Sequence, residues 1–213
     1  MPGSIKVNGN KIQTTDLLTI AGVDITARVQ QERLVEGTIQ LLEVIRDYCK
    51  RGEVKLTPGE SIQYGFWGLR LIQTDDPLML ECRALAPNGR DIQECVDPAI
   101  IYWNDQHRLC ELAKTPFEPP SFFSLTSLDD GVVNGRAIRG IRYKPIGAMS
   151  GWWLTSDVYD GTNARMRNEH TSHLADICPS IIQFLALPVG YCFYSSRANS
   201  QYWFDEEVAR EEP

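Results

Sequence analysis

The chain has 213 residues, 43% of them hydrophobic and 23% charged, the balance of a globular protein with a buried core rather than a disordered one. Its 28 acidic against 21 basic residues give a net charge of −7. That argues against nucleic acid and anionic membrane surfaces as partners, and favours a basic partner through electrostatic steering.

No stretch reaches the roughly 18 apolar residues of a membrane span. The start Met1-Pro2-Gly3-Ser4-Ile5-Lys6 carries no apolar signal core, so a cytoplasmic location is expected. Asp24 to Lys50 reads as a helix. Leu34, Thr38, Leu41, Leu42, Ile45, Tyr48 and Cys49 recur at three- and four-residue steps, with Glu32, Glu36, Glu43, Arg46 and Asp47 opposite. Gly52 lies just past its end, a common stop. Ile62, Tyr64 and Phe66 alternate with polar residues as a strand that Leu69–Ile72 continues. Thr74–Pro77 is a turn, Leu78–Leu85 a second strand, and Pro87-Asn88-Gly89 a hairpin turn into a third strand, Asp91–Cys95. Asp97, followed by Pro98 at the first helical position, opens a helix to about Ala113.

The three prolines of Pro116–Pro120 continue neither a helix nor a central strand. They divide the chain into an N-terminal α+β domain, residues 1–120, of no recognised family, and a second α+β domain, residues 121–213. In the second half, Ile138–Tyr143 and Met149–Leu154 read as strands, followed by a polar loop to about His170. Thr171–Ile177 is a short helix, and Pro179 starts another that Pro188 ends. Tyr191–Tyr194 and Tyr202–Phe204 form an antiparallel pair, before an acidic tail from Asp205 to Pro213. The fold class is α+β, each half holding an antiparallel, hairpin-rich sheet with packed helices.

Candidate chemistry is sparse. The six cysteines (Cys49, Cys82, Cys95, Cys110, Cys178 and Cys192) form no C-x-x-C pair and read as free thiols, several in the core. His170 and His173 beside Glu169 lack a second ligand cluster. Cys110, three residues after His107, has the spacing of a thiolate–imidazole pair, and equally that of one helix face with the thiol in the core. The carboxylate pairs Asp75-Asp76, Asp129-Asp130, Asp157 with Asp160, and Glu206-Glu207 all fall in turns or the tail. The expectation is a protein without catalytic residues, cofactor or metal. Trp152 and Trp153 point to opposite faces of their strand, one into the core.

One constellation stands out. Ser150-Gly151-Trp152-Trp153 is followed by a loop bearing Asp157 and Asp160. Leu174-Ala175-Asp176-Ile177-Cys178-Pro179-Ser180-Ile181 follows, then Leu187-Pro188-Val189-Gly190 and a last strand. Over roughly residues 138–206 this resembles immunity protein family 33 of bacterial polymorphic toxin systems, with Cys178 where that family has an aspartate before the proline. The resemblance implies a non-enzymatic protein that binds and blocks the catalytic domain of a cognate secreted toxin. The toxin would be basic, a nuclease for example, delivered by a contact-dependent or type VI system. On this reading the partner surface is aromatic and acidic: Trp153, Asp157, Tyr159 and Asp160, with Asp205 and Glu206 nearby through the pairing of the final strand. Two other classes compete: a small hydrolase or toxin-modifying enzyme using Cys110 and His107 or a carboxylate pair, and a scaffold or adaptor.

Overall fold

A computed structural model of the chain describes residues 5–52, 54–133 and 135–211. Met1–Ser4, Glu212 and Pro213, parts of the start and tail read above, lie outside the described residues. The chain divides into two compact units, residues 1–104 and 105–213.

Unit 1 holds β1 (Ile5–Asn8), β2 (Lys11–Thr14), α1 (Leu18–Ala21), β3 (Asp24–Arg28), α2 (Val35–Gly52), β4 (Ser61–Tyr64), β5 (Trp67–Gln73), β6 (Met79–Ala84) and the first turns of α3 (Asp97–Ala113). Its six strands run in the order β1-β2-β3-β6-β5-β4. All neighbours are antiparallel except β3 and β6. The sheet is therefore mixed, not purely antiparallel as expected. Thr38, Leu41, Leu42, Ile45 and Cys49 form the buried stripe of α2, as their spacing predicts. Tyr48, counted in the same stripe, is 58% exposed.

The helix expected from Asp24 begins only at Val35, after a turn of 3₁₀ helix at Glu32–Leu34. Residues 24–28 are a strand between β2 and β6, with Ile25, Thr26 and Ala27 all buried. Two β-branched residues buried on both faces suit a central strand better than a helix surface. The run 61–73 is likewise two strands. Gly65, at φ 57°, makes a tight turn that folds β4 onto β5, with Ser61 opposite Arg70. Asp91–Cys95 returns alongside residues 84–86, through an isolated bridge from Leu85 to Ile92 and backbone bonds from Ala86 N–H to Asp91 (2.8 Å), Gln93 N–H to Ala84 (2.8 Å) and Ala84 N–H to Cys95 (3.2 Å), but does not extend into a full strand.

The division between the units falls inside α3, upstream of the proline-rich stretch. Unit 2 continues with β7 (Leu125–Asp129), β8 (Ile138–Arg142), β9 (Met149–Ser156), β10 (Met166–His170), α4 (Leu174–Ile177), β11 (Tyr191–Ser195), β12 (Ser200–Phe204) and α5 (Glu206–Arg210). Its strand order is β10-β7-β9-β8-β11-β12, with β7 and β9 parallel and the other neighbours antiparallel. The segment read as a polar loop up to His170 thus contains β10. It lacks an apolar period because it is an edge strand, paired on one side only.

The core of unit 2 lies on one face of this sheet. Trp152, Leu154, Leu128 and Phe193 are fully buried there, and Phe184 stacks on Phe193 at 4.5 Å. Residues 179–187 are tied down through their backbone. Gln106 Nε2 donates to the Ile182 carbonyl (2.9 Å), and Trp152 Nε1 to that of Leu185 (3.0 Å). Arg142 Nη1 donates to the carbonyls of Glu118 (2.6 Å), Leu185 (3.1 Å) and Leu187.

Candidate functional site

Strand β9 alternates half-exposed and buried residues along its whole length, so one side faces the core and the other faces outward. Trp152 is the inward residue and Trp153 the outward one. Register extends that outward position across the sheet. Trp153 pairs with Ile141, Ile141 with Cys192, and Cys192 with Trp203. The outcome is an apolar row over four adjacent strands with a tryptophan at each end, half-buried at Trp153 and Ile141, covered at Cys192 and open at Trp203. The next row is Thr155, Arg139, Tyr194 and Gln201.

The acidic residues stand at the two ends of this face. Asp157, Tyr159 and Asp160 follow the end of β9, which register places level with Ile138, Ser195 and Ser200. Asp205 and Glu206 follow the other end of β12, level with Tyr191. The last two strands pair as expected, and that pairing is what carries Asp205 away from Asp157. The two groups are separated by about 17 Å along the strands and about 14 Å across them. They frame the aromatic row instead of forming one cluster.

Each carboxylate already has a local partner. Asp157 pairs with Arg136 at 3.3 Å, both exposed. Asp160 accepts from Thr162 N–H (2.9 Å) and Thr162 Oγ1 (2.8 Å), which holds its carboxyl below the ordinary value. Asp205 caps α5, accepting from the N–H groups of Glu207 (2.9 Å) and Val208 (3.3 Å). Glu206 meets Arg210 one turn along α5. Exposed pairs of this kind contribute little to stability and exchange readily for another partner.

Asp129 is the residue that sequence reasoning undervalued. Fully buried, it accepts from the Ser156 N–H (2.5 Å), Ser156 Oγ (3.0 Å) and the Gly131 N–H (2.6 Å). It thereby fixes the point from which the 157–160 loop leaves the sheet. Its neighbour Asp130 is exposed and pairs with Arg167 at 2.9 Å. The pair is divided between a structural anchor and a surface charge, and the two carboxylates do not converge on one site.

The other chemical candidates are also placed. Cys110 is buried, its thiol donating to the Ala186 carbonyl at 3.6 Å, and burial pushes its pKa up to about 11. His107 stacks on Phe117 at 3.9 Å, and burial lowers its pKa. Cys110 is thus held as a thiol at neutral pH, the opposite of an activated nucleophile. His173 Nδ1 donates to Glu169 (2.9 Å) and His170 Nδ1 to the Phe123 carbonyl (3.2 Å). Among the described residues, no group of three or more His, Cys, Asp or Glu side chains is arranged to hold a metal.

Unit 1 presents a different surface. On the sheet face opposite α2, register aligns Lys11 with Arg28 and Arg83 with Arg70, and puts Lys6 beside Gln13. Glu81 is the acid among them, buried and bonded to both Arg28 (2.8 Å) and Arg83. Like charges directly opposite one another cost stability, and Glu81 offsets part of that cost.

No helix among the described residues is long and apolar enough to cross a membrane. No curated protein and no solved structure matches the chain. The family model of the Imm33-like domain matches residues 105–205, which reaches upstream of the constellation at 150–190 to include the second part of α3 and β7. By that match unit 2, nearly end to end, is similar to the immunity protein 33-like family.

Proposed function

We propose that the protein is an immunity protein that binds a cognate bacterial toxin and neutralises it without chemistry of its own, acting in the cytoplasm. The observation that carries this reading is the Imm33-like match over residues 105–205. The outward face of the unit 2 sheet supports it. An aromatic centre, Trp153 to Trp203, with carboxylates around its rim is the make-up of a protein-binding surface. Asp157, Asp160, Asp205 and Glu206 would steer a basic toxin, a nuclease being the class whose phosphate-binding site such acids suit. The lysines and arginines on the unit 1 sheet face would repel the same partner, which favours unit 2 as the contacting half. The raised pKa of the Cys110 thiol favours binding over the hydrolase alternative.

The test is co-expression with the toxin domain encoded beside this protein, followed by purification of both. A stable complex together with rescue of growth is expected. A folded, abundant chain that neither binds that domain nor protects the cell would overturn the reading.

A further inference from the structure

The two sheets end in four edge strands among the described residues: β1, β4, β10 and β12. Edge strands invite pairing with another chain, and proteins normally blunt them with charge, proline or bulges. Strand β1 carries Lys6, and β10 carries Arg167 and Glu169. The β4 edge lies along a groove lined by Tyr48 and Arg51. Strand β12, Ser200-Gln201-Tyr202-Trp203-Phe204, has no charge, no proline and no register shift, and Trp203 and Phe204 are 36% and 51% exposed.

Its hydrogen-bonding polarity can be read. The Asn199 carbonyl accepts from Ser196 N–H (2.8 Å), and Asp205 N–H donates to Gly190 (2.9 Å), so both residues face β11. By alternation Gln201 and Trp203 face β11 as well. Ser200, Tyr202 and Phe204 therefore turn their N–H and C=O groups outward from the sheet.

We propose that β12 is a self-association edge, pairing antiparallel with β12 of a second copy of this chain about a two-fold axis at Tyr202. Tyr202 then faces the partner's Tyr202, and Ser200 faces the partner's Phe204. Each of these is a doubly hydrogen-bonded pair in which outward donors meet outward acceptors. Charge selects the antiparallel sense. The turn before β12 carries the exposed Arg197, whose guanidinium rests beside Gly135 on a long stem, and the strand is followed by Asp205, Glu206 and Glu207. Antiparallel pairing brings the basic end of one copy to the acidic end of the other, whereas parallel pairing sets acid against acid. A ladder of five residues is smaller than the roughly 1,200 Å² of a stable interface, so the dimer forms and dissociates with concentration. It joins the unit 2 sheets of two copies edge to edge and leaves the β9 end of each outward face, with Asp157 and Asp160, available, while the Asp205–Glu206 end lies at the seam. The inference does not depend on the immunity reading, because no toxin takes part.

The test is sedimentation velocity of the full chain over a concentration series. Wild type is expected to show a monomer–dimer equilibrium. Tyr202→Lys and Tyr202→Glu, each facing itself across the axis, should each weaken it by about tenfold or more. An equimolar mixture of the two variants should restore the dimer as a heterodimer, which also shows that both variants fold. A wild type that stays monomeric throughout, variants that dimerise like wild type, or a mixture that stays monomeric each overturns the proposal. So does a monomeric chain whose Tyr202→Lys variant loses toxin affinity, since the edge would then belong to the toxin.

Discussion

Arg142 brings a charge into the core of unit 2, where it is 5% exposed and held by backbone carbonyls, with the Trp152 ring 5.7 Å away. Burial lowers its pKa to about 10, with Glu118 acting in the other direction. Its role is to satisfy the carbonyls of residues 118, 185 and 187, which the turns around Pro188 leave without a ladder. Arg142→Met keeps the volume but leaves the buried Leu187 carbonyl without its guanidinium donor, while Leu185 keeps only Trp152 Nε1 and the Glu118 carbonyl turns to solvent. It should cost about 2–4 kcal/mol in urea unfolding, and a loss below ~1 kcal/mol would mean that water replaces the guanidinium. The cysteines behave differently. Cys110 and Cys178 are small buried groups, so Cys110→Ala or Cys178→Ala should cost ~1–2 kcal/mol and leave protection intact. A folded, abundant variant that no longer protects would restore the nucleophile reading. At this scale the sequence was partly legible. Adjacent tryptophans in a strand must divide between core and surface. Which carboxylate of Asp129-Asp130 goes inside is decided by the distant Ser156, which no local pattern reveals.

Strands β8 and β11 meet at a place where side-chain volume is tightly set. A Cβ added at Gly140 would fall 2.1 Å from the Phe193 ring, and that ring is backed by Phe184. Gly140→Ala should therefore cost about 1–3 kcal/mol, read as a lowered thermal midpoint. An unchanged midpoint would show that β11 can move aside. Strand β9 and its loop carry the test of the binding surface. Trp153→Ala removes the aromatic end of the outward row and should weaken toxin binding by about 2 kcal/mol or more. Asp157→Lys with Asp160→Lys should weaken it by ~2–5 kcal/mol if that rim makes the contact. Asp205→Asn, at the far end, separates the two rims, since β12 places it beyond the reach of the first group. Calorimetry with all three variants decides which end is used, and unchanged affinity in all of them moves the interface elsewhere. Elements with a strong period, such as α2 and β9, were legible because one face of each is buried, and the exposed β12 was legible from its run of aromatic residues across a turn from β11. The strands β1, β2 and β10 were not: β1 and β2 are four residues each, too short to show a period, and β10 is an edge strand with no fully buried residue. Strand β3 was absorbed into a helix because Asp24–Arg28 borders a genuine helical period and its partner β6 lies far along the chain.

The whole molecule keeps all six cysteines buried as free thiols, and burial, with smaller effects from neighbours such as Glu81 beside Cys82, raises the pKa of every one. Cys110 is pushed up to about 11 and Cys82 to about 12, from an ordinary value of 9.0. Burial raises the Tyr64 hydroxyl as well. A proton held more tightly in the folded state contributes stability that is lost once the unfolded chain can release it. Below pH 9 both states are protonated, and this contribution is fully present. Above pH 9 the unfolded chain ionises first, so the folded state binds more protons and stability falls as pH rises, until the folded thiols ionise near pH 11–12. The arginine runs the other way. Arg142 with its lowered pKa gains stability only above about pH 10, so it blunts the upper part of the decline. Two deeply buried thiols against one arginine leave the net direction downward, by a few kcal/mol at ~1.4 kcal/mol per pKa unit. Urea midpoints measured under reducing conditions should hold from neutral pH to pH 9 and drop steadily above it. Cys82→Ala and Cys110→Ala should start lower and decline less steeply, because each removes one of the protons responsible. A midpoint that stays level from pH 9 to pH 11 in the wild-type chain would mean that water reaches these thiols in the folded state, and that neither unit is as tightly closed around them as its packing indicates.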